Sequence, residues 1–590
     1  MVVLSRILAI HRPAVAVVGR CGGRIGARIL WGLVILSGVS LRAQSDEPSL
    51  LAAMTTVNIS SEADDPSRGN RVLNLENGYE ALALRVHLIR QARRSIELQT
   101  FIWTNDEVGR LMIYELVEAA RRGVKVRVIA DHMVSDQNPE VGAFLATANP
   151  NLEVRHYRPV MERLKPSLWQ QATSAMFGFH GINQRMHNKL MVVDGAVMLT
   201  GGRNIENTYF NHSPGMNFRD REVMAVGPVV RLAEASFEEY WAFRHVVPSA
   251  ELKDVATVMQ SGRFPRYETR SDYDFGGYFE EIDQAADDAD QMRTLFWHQL
   301  RPVDRVEFLA DDPGKGLGLF DKASRTTKAL RQRVGEAQRE VTVQSPYLIL
   351  SGSARKLARV LRRQNPAISL RVSTNSYAST DNILAYSANY RLRSQYVEKL
   401  GLEVFEFKPH PDSLPELFPE FDAMAQRAET QGKKAAPFFC LHAKSLVVDD
   451  RVSFVGSYNM DPRSVSLNTE VGLIIEDEAF ARELRAQIER DMEPGNSWVI
   501  ARREYPLGLD TVNGLISGLL ALGPVDPWPI QNTSSFELKP GTDPVPTNHP
   551  EFYQRYRDTG IFPGASGAVT SKEILTRIYK AVGASLTPIM

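Results

Sequence analysis

A histidine and a lysine two residues apart occur twice in this chain, within the same frame of surrounding residues. The first copy reads HNKLMVVDG and the second reads HAKSLVVDD. Six residues separate the aspartate of each copy from a glycine-led loop, GGRN or GSYN. A single pair would mean little, but two copies with identical spacing indicate that the two sets act together. The repeated residues are His187, Lys189, Asp194 and Asn204 in the first copy, and His442, Lys444, Asp449 and Asn459 in the second.

These residue types suit phosphoryl transfer. One neutral imidazole can attack phosphorus to give a phosphohistidine, and a second, protonated imidazole can donate a proton to the leaving oxygen. Lys189 and Lys444 can stabilise the charge on the phosphoryl oxygens without a metal ion. The glycine-led loops should let backbone N–H groups approach an anion, with Asn204, Asn459 and the Ser457 hydroxyl as further donors. The sequence therefore predicts a cationic phosphate site that needs neither metal nor cofactor.

Strand parity separates the two aspartates from this chemistry. Successive side chains of a strand point to opposite faces, so His187 and Lys189 share one face while Asp194 points to the other. The same parity turns Asp449 away in the second copy. Both aspartates belong to the repeated motif and stay among the candidate catalytic residues, but we expect them to act as structural acceptors or turn formers.

Each histidine should also have a carboxylate that orients its ring. Glu470 lies eleven residues past Asn459 in the second half, and Asp220 precedes a comparable strand in the first half. We expect each carboxylate to serve the histidine of its own half. Glu222 is the alternative in the first half, and the ordinary alternative for these residues is a surface acid at the start of a strand.

Length and composition indicate a globular protein with two related domains. The chain has 590 residues, more than one hydrophobic core usually supports, and the two motifs are 442 − 187 = 255 residues apart. With 43% hydrophobic residues and a formal net charge of −1, the composition gives no footprint of a polyanion-binding protein, so no nucleic acid partner is expected. The two cysteines, Cys21 and Cys440, are too far apart to suggest a disulfide framework or a CxxC metal site.

Helices and strands alternate ahead of each motif. The predicted helices are 77–94, 109–123, 324–338 and 354–364, and the predicted strands are 95–103, 124–131, 339–350 and 368–376. Such alternation implies βαβ units. We therefore predict an α/β protein with two similar domains, each a mixed, mostly parallel sheet flanked by helices.

The N-terminus is similar to a secretory signal, with a basic region followed by an apolar run at 29–41. Cleavage after Ala43 and retention as an anchor are both open, and export is favoured over a cytoplasmic start. The predicted organisation is a leader or anchor at 1–43, a polar linker at 44–69, a first domain at 70–250, a linker at 251–290, a second domain at 291–500 and an extension at 501–590 that could contact a membrane. Apolar stretches at 161–179, 514–523 and 573–586 could lie on a membrane or belong to an ordinary core.

The doubled motif resembles the signature of the phospholipase D superfamily, a paired HxKxxxxD with a following GGxN or GSxN. MHNKLMVVDG with GGRNIENTYF, and LHAKSLVVDD with GSYNMDPRSVSLNTE, are most similar to bacterial cardiolipin synthases of the C type. DDPGKG at 311–316 and STNSYASTDN at 373–382 add to the likeness. The resemblance implies two phospholipase D-like α/β domains related by a pseudo-twofold axis, with one active site at their interface.

The resemblance also implies a reaction and the residues that perform it. A phosphatidyl group would pass to His187 as nucleophile and then to an alcohol, with His442 as general acid and base and the reverse order left open. Lys189, Lys444, Asn204 and Asn459 would bind phosphate with help from Ser457, and Gly202 in the matching place has no hydroxyl to offer.

For this subfamily the implied alcohol belongs to a second phospholipid, so that phosphatidylglycerol and a lipid such as phosphatidylethanolamine yield cardiolipin. The implied partners are these lipids and a membrane surface, in the periplasm or at the inner membrane of a bacterial cell envelope. A phospholipase D that hydrolyses lipids to phosphatidic acid is the alternative, because water can resolve the same phosphohistidine. A metal-independent phosphodiesterase or nuclease is less favoured, as is a binding protein without activity.

Overall fold

The computed structural model describes residues 65–167, 183–275, 278–316, 324–433, 435–504 and 532–564, together with a few isolated positions. The predicted leader, most of 161–179 and the apolar stretches at 514–523 and 573–586 lie outside the described residues. Over the part that is described, no helix has both the length and the apolar character needed to cross a bilayer. Residues Ser49–Met590 form one compact unit, which contains both halves of the repeat.

The first half of the chain forms a mixed sheet. Its described strands are β1 (Arg71–Leu75), β2 (Ser95–Thr100), β3 (Lys125–Asp131), β4 (Leu152–Tyr157), β5 (Leu190–Val193), β6 (Val197–Gly201), β7 (Met216–Arg219), β8 (Glu222–Val226), β9 (Val246–Pro248) and β10 (Arg301–Pro302). All but β7 belong to the sheet, in the order β10-β1-β8-β6-β5-β2-β3-β4-β9. The described helices are α1 (Gly78–Gln91), α2 (Glu107–Arg121), α3 (Pro139–Thr147), α4 (Val229–Trp241), α5 (Lys253–Ser261), α6 (Tyr278–Asp287) and α7 (Ala289–Met292).

The second half repeats this arrangement. Its described strands are β11 (Arg305–Ala310), β12 (Glu340–Gln344), β13 (Ser369–Asn375), β14 (Glu403–Phe407), β15 (Phe438–Leu441), β16 (Ser445–Val448), β17 (Val452–Gly456), β18 (Val471–Glu476), β19 (Ser497–Arg502), β20 (Thr533–Leu538) and β21 (Tyr556–Gly560). The sheet runs β11-β18-β17-β16-β12-β13-β14-β19-β20-β21. The described helices are α8 (Arg325–Gly335), α9 (Gly352–Gln364), α10 (Ile383–Ser394), α11 (Leu414–Leu417), α12 (Phe421–Thr430), α13 (Pro462–Ser466), α14 (Glu478–Asp491) and α15 (Phe552–Arg555).

The two sheets share a core order. The series β8-β6-β5-β2-β3-β4 in the first sheet matches β18-β17-β16-β12-β13-β14 in the second, which confirms the prediction of two similar α/β domains. The prediction that the sheets are mostly parallel is wrong. Within the described residues, only β2 with β3, β3 with β4, β12 with β13 and β13 with β14 pair in parallel in these sheets. Helical crossovers join those strands, whereas the motif strands form antiparallel hairpins that the helix–strand alternation did not reveal.

Capping side chains explain where the helices that flank the site begin. The Asp106 carboxylate accepts a hydrogen bond from Gly109 N at 2.9 Å at the start of α2. The Ser351 hydroxyl accepts one from Ala354 N at 3.3 Å at the start of α9. Such caps satisfy N–H groups that have no partner inside the helix and contribute about 1 kcal/mol each. Each cap thus ends the connection of six or seven residues that follows β2 or β12.

An apolar core joins the two halves. It contains Leu190 and Val192 from the first motif strand together with Val447, Val455 and Leu473 from the second half, and all five are buried. The strands β7 and β15 also pair in parallel across the halves. Because burial of such side chains is the main favourable term in folding, the two motif hairpins are held against each other as part of one folded unit.

Candidate active site

A cavity of about 290 Å³ lies where the two halves meet. His187 and His442 both line it, and each is only 5% exposed. Asn204 and Asn459 line it as well. Residues from both copies of the repeat thus reach one cavity, as a single shared site requires.

Each histidine is positioned by the backbone of the opposite half. The N–H of His187 donates to Thr469 O at 3.1 Å, and that of His442 donates to Arg219 O at 2.8 Å. Both histidines precede their strands, since β5 begins at Leu190 and β16 at Ser445. The HxK segments are therefore extended connections that bridge the two halves rather than parts of the two large sheets.

The predicted carboxylates reach the histidines, but crosswise. Nδ1 of His187 lies 2.9 Å from Oε2 of Glu470, and Nδ1 of His442 lies 2.6 Å from Oδ2 of Asp220. The expectation that each acid serves the histidine of its own half is wrong. The bridging backbone gives the reason, because Thr469 and Arg219, which bind the histidine N–H groups, immediately precede the two acids in sequence.

Strand register shows that the two acids occupy equivalent positions. Gly201 pairs with Glu222 in the first sheet, and Gly456 pairs with Gly472 in the second. Asp220 and Glu470 each lie two residues before the residue paired with the motif glycine. Glu222, the alternative to Asp220, has a different role.

The Glu222 carboxylate accepts hydrogen bonds from the Arg85 and Arg203 guanidinium groups. Both ion pairs are buried. Glu222 is therefore committed to structural cations and does not orient a histidine.

The two acids differ in charge. Burial would raise the pKa of Asp220, but His442, Lys444 and Arg203 overcome it and lower that pKa to about 2. Burial raises the pKa of Glu470 to about 8, against the lowering effect of Lys315 and of its hydrogen bonds. At neutral pH the carboxyl group of Asp220, beside His442, is therefore ionised, whereas that of Glu470, beside His187, is largely protonated.

The surroundings of the two histidines act differently on their pKa values. Burial lowers the pKa of His187 well below its usual value, and Lys189 and Lys444 lower it further. Burial and Lys444 also lower the pKa of His442, but there Asp220 opposes them through its charge and its hydrogen bond. His187 is thus held neutral, whereas His442 has a neighbour that favours its protonated form.

The two lysines lie beside their histidines, as the alternation of side chains predicts. Nζ of Lys189 donates to His187 O at 2.9 Å and lies 4.9 Å from the centre of the Phe101 ring. Nζ of Lys444 lies 2.9 Å from Nδ1 of His442. Burial lowers the pKa of Lys444 to about 8, although Asp220 opposes this. Burial and the charge of Lys444 lower the pKa of Lys189 well below its usual value, although Glu470 and Asp220 oppose this.

The motif aspartates lie in turns and hold backbone. The Asp194 carboxylate accepts hydrogen bonds from Arg93 N, Arg94 N and Ser95 N at 2.7–2.9 Å. The Asp449 carboxylate does the same for the N–H groups of residues 338–340, at 2.7–2.9 Å. Neither aspartate lines the cavity. Both aspartates therefore have the structural role that strand parity predicts. Neither lies with the catalytic candidates among which the repeated motif places it.

The glycine-led loops do not form the predicted anion-binding nests. The N–H of Gly202 donates to Arg221 O at 3.0 Å, and that of Ser457 donates to Val471 O at 2.8 Å. A side chain on Gly201 would meet the backbone of the neighbouring strand, since its Cβ would lie 2.4 Å from Arg221 O. These glycines therefore allow strands to approach closely and do not free N–H groups for a ligand.

Ser457 also differs from its predicted part in phosphate binding. Its hydroxyl donates to Oε2 of Glu470 at 2.5 Å and accepts from Val471 N at 3.0 Å. In the equivalent place of the first half, a Cβ on Gly202 would lie 2.1 Å from Oδ1 of Asp220. Ser457 thus donates to the Glu470 carboxylate, whereas Gly202 leaves the space that the Asp220 carboxylate occupies. Ser457 therefore supports a carboxylate instead of a phosphate.

The asparagines remain suited to phosphate. Oδ1 of Asn204 accepts from Ile102 N at 3.1 Å, and its Nδ2 donates to the Tyr209 hydroxyl at 2.7 Å, which leaves one amide hydrogen. Oδ1 of Asn459 is buried and has no hydrogen-bond partner among the described residues. An amide oxygen only accepts, so the groups of these two cavity-lining side chains that could donate to a phosphate are their Nδ2 atoms.

Sequence reasoning missed other residues of the cavity. Asp381 and Arg463 line it, and Tyr209 packs edge-on against His442 with ring centroids 5.1 Å apart. The Tyr347 hydroxyl donates to Oδ2 of Asp381 at 2.7 Å. The sequence did contain a signal for two of these residues. Asp381 and Arg463 lie in the segments that resemble the family, STNSYASTDN and GSYNMDPRSVSLNTE.

Comparisons with known proteins identify the family of the chain. The family model described as "Cardiolipin synthase, PLD-like domain" matches residues 86–241 and 330–492, more than half of the chain. Cardiolipin synthase C of Escherichia coli (strain K12) is 31% identical over 414 residues, which cover 69% of this chain and 82% of that protein. Cardiolipin synthase B of the same strain is 25% identical over 442 residues, covering 73% and 85%. Phosphatidylserine synthase from Haemophilus influenzae Rd KW20 is a solved structure with a TM-score of 0.49 and 15% identity, over 72% of this chain and 87% of that chain.

Proposed function

The chain belongs to the phospholipase D-like family of cardiolipin synthases and is a phosphatidyltransferase, and we propose that it makes cardiolipin through a phosphohistidine on His187. The observation that carries the proposal is the pair of histidines from opposite halves that line one cavity, each backed by a buried carboxylate. The two carboxylates differ in charge, which suits two histidines with different tasks.

In the first step, His187 attacks the phosphorus of a donor phospholipid. In this proposal Nδ1 of His187 carries the proton and donates to Glu470, so Nε2 carries the reactive lone pair, and the lowered pKa of His187 keeps that lone pair free of a proton. The bond between phosphorus and the head-group oxygen breaks as the N–P bond forms. His442, held by the ionised Asp220, gives a proton to the departing oxygen.

In the second step, the phosphatidyl group passes to a hydroxyl. The now neutral His442 removes the proton of that hydroxyl, its oxygen forms a bond to phosphorus and the N–P bond to His187 breaks. The acceptor must be phosphatidylglycerol, because only its glycerol head group offers the hydroxyl that remains in cardiolipin. Phosphatidylethanolamine has no such hydroxyl and can serve only as donor, with ethanolamine as the leaving group.

Side-chain cations stabilise the charged phosphoryl group. Lys189 and Lys444 come from opposite halves and are both buried beside the histidines. Asn204 and Asn459 add amide groups at the cavity. Fixed cations in a site that excludes water stabilise developing charge more strongly than water does, so this scheme derives its charge stabilisation from the chain itself.

The substrates imply where the enzyme works. Phospholipids reside in bilayers, and the leader-like N-terminus supports a place in the bacterial cell envelope, in the periplasm or at the inner membrane. We include this location and the membrane surface in the proposal.

A product assay tests the proposed function. The purified full chain is incubated with labelled phosphatidylglycerol, with and without phosphatidylethanolamine, and the lipids are separated. Cardiolipin among the products supports the proposal. Release of ethanolamine in step with cardiolipin formation would identify phosphatidylethanolamine as the donor. Phosphatidic acid alone would show a hydrolase, and the absence of both products would contradict the proposal. The His187→Ala variant controls for contaminating activity.

A further inference from the structure

Two helices of the second half lie in a strongly basic stretch of the chain. Residues 324–365 contain ten Lys and Arg and two Glu, which gives 10 − 2 = +8, although the whole chain has a formal net charge of −1. The stretch includes α8 and α9. The equivalent stretch of the first half, residues 77–123, has seven Arg and six acids, or 7 − 6 = +1. Because both stretches hold the same places in the fold, the fold itself does not require this charge.

Half of these cationic side chains form no hydrogen bond or ion pair with another described residue. Arg325 and Arg333 form ion pairs with nearby acids. Arg339, Arg355 and Arg362 donate to backbone carbonyl oxygens. The other five are Lys328, Arg331, Lys356, Arg359 and Arg363, and no hydrogen bond or ion pair joins their side chains to another described residue. All of them except the half-buried Arg331 are exposed.

An apolar groove lies between the two helices. Its cavity has a volume of about 120 Å³ and is lined by Leu330 and Val334 of α8, Leu357 and Leu361 of α9, and strand residues beneath them. Val334 and Leu357 stay partly exposed, as does Val343 of the central strand β12. Of the five cations only Arg331 lines the groove, and we call the groove together with the five cations on its two helices the α8–α9 surface.

The α8–α9 surface adjoins the catalytic cavity. Asp461 lines both the apolar groove and the cavity that holds the histidines. The wall between them includes Ile349, whose N–H donates to Met460 O at 2.9 Å. A ligand that covers the groove would therefore lie next to the site where a phosphatidyl group reacts.

The combination of charge and groove selects one kind of partner. An anionic bilayer offers phosphates to the cations and acyl chains to an apolar groove. A nucleic acid would match the charge but would leave the groove unused, and among the residues that line it only Tyr458 is aromatic, so it offers no platform for bases.

We propose that the α8–α9 surface docks the enzyme on a bilayer that contains anionic lipid. The five cations face the lipid phosphates, and the groove takes the apolar region beside them. The inference rests on the proposed function in one respect, that the substrates are bilayer lipids, and it adds where on the chain the bilayer binds.

Charge reversal on α9 tests the proposal. The full-length variant Lys356→Glu/Arg359→Glu/Arg363→Glu is compared with the parent chain, both carrying His187→Ala so that no lipid turns over. Binding is measured by sedimentation with phosphatidylcholine vesicles, with and without phosphatidylserine, an anionic lipid that is not a proposed substrate. Each basic residue near an anionic surface strengthens attachment about fivefold, so the variant should bind at least about a hundredfold more weakly. Binding of the parent should also fall as salt is raised.

A matched control changes three exposed basic residues elsewhere, Lys125→Glu/Arg231→Glu/Arg263→Glu, with the same change in net charge. This control should keep the parent's vesicle binding, and circular dichroism shows whether each variant is folded. Equal binding by the α9 variant and the parent would overturn the proposal. The proposal would also be overturned if the α9 variant kept its vesicle binding and lost only affinity for duplex DNA, which would indicate a nucleic-acid surface. Vesicle binding does not depend on turnover, so a failed product assay would reject the proposed function alone.

Discussion

The two histidines differ because their carboxylate partners differ. Asp220 is one methylene shorter than Glu470 and is held ionised by His442, Lys444 and Arg203, whereas burial raises the pKa of Glu470 to about 8. Two close histidines can share one proton, and unlike carboxylate partners favour one of the two places for it. The asymmetry at this one position supports our proposal that His187 is the nucleophile.

The alkaline limit of activity should depend on Lys444. Its pKa is lowered to about 8 by burial, so its charge is present below that pH and is lost as the pH rises through it, well before a lysine with the usual pKa of about 10.4. We expect kcat/KM to fall above about pH 8 for this reason. In the Lys444→Arg variant, the guanidinium stays charged and the falling limb should move to higher pH.

The comparison also separates Lys444 from Glu470, whose pKa is raised to about 8. Pre-steady-state rates from pH 6 to pH 10 would show the limb directly. An alkaline limb that stays in place in Lys444→Arg would contradict the assignment to Lys444 and would leave Glu470 or Lys189, whose pKa burial also lowers, as the group responsible.

At the scale of elements, the central unit is an extended HxK segment that leads into a hairpin. The segment forms a hydrogen bond with the backbone of the other half. The turn of the hairpin carries an aspartate whose carboxylate accepts hydrogen bonds from the backbone at the start of the neighbouring strand of the sheet, β2 or β12. Asp194 and Asp449 both have positive φ, 53° and 54°, a conformation that aspartate tolerates better than most residues. The third motif residue is thus selected by the turn and by three N–H groups, not by the reaction.

Replacement of a motif aspartate should reduce stability more than catalysis. Asp194→Asn keeps the tolerance for positive φ but loses the charge and one of the two acceptor oxygens that bind residues 93–95. We expect the free energy of unfolding to fall by about 1–3 kcal/mol, measured by urea denaturation, with kcat of the folded enzyme within about twofold of the parent.

Asp449→Asn is the matched control and should behave in the same way. A large loss of kcat in either variant without a loss of stability would show that the aspartates take part in the chemistry.

The sequence predicted the local features well because they depend on local pattern. Helix 109–123 and strand 124–131 match α2 and β3 within a few residues, and parity placed Asp194 away from the histidine. The long-range features escaped it. The crossing of Asp220 and Glu470 depends on backbone bonds between residues more than 220 positions apart, and the use of the loop N–H groups depends on a neighbouring strand. Spacing within a motif carries no information on either.

At the scale of the whole molecule, neither half holds a complete site. The first half supplies His187 and Asp220, and the second supplies His442 and Glu470, while each histidine depends on the carboxylate of the other half. The apolar core between the motif hairpins fixes this exchange. The fold therefore explains why the motif is duplicated within one chain.

Two inactive variants should not restore each other. His187→Ala and His442→Ala should each abolish turnover, and a mixture of the two proteins should stay inactive because both histidines of a site come from one chain. Cardiolipin formation by each variant and by their mixture is the measurement. Recovered activity in the mixture would contradict the intrachain site and would indicate a site shared between chains.

The most direct test of the account is to locate the covalent intermediate. Enzyme that is turning over labelled phosphatidylglycerol is quenched within milliseconds and digested, and the modified peptide is identified by mass spectrometry. The account predicts a phosphatidyl group on His187, in the peptide that contains HNKLMVVDG, and none when His187 is replaced by Ala. A phosphatidyl group on His442, or turnover with no modified histidine, would contradict it.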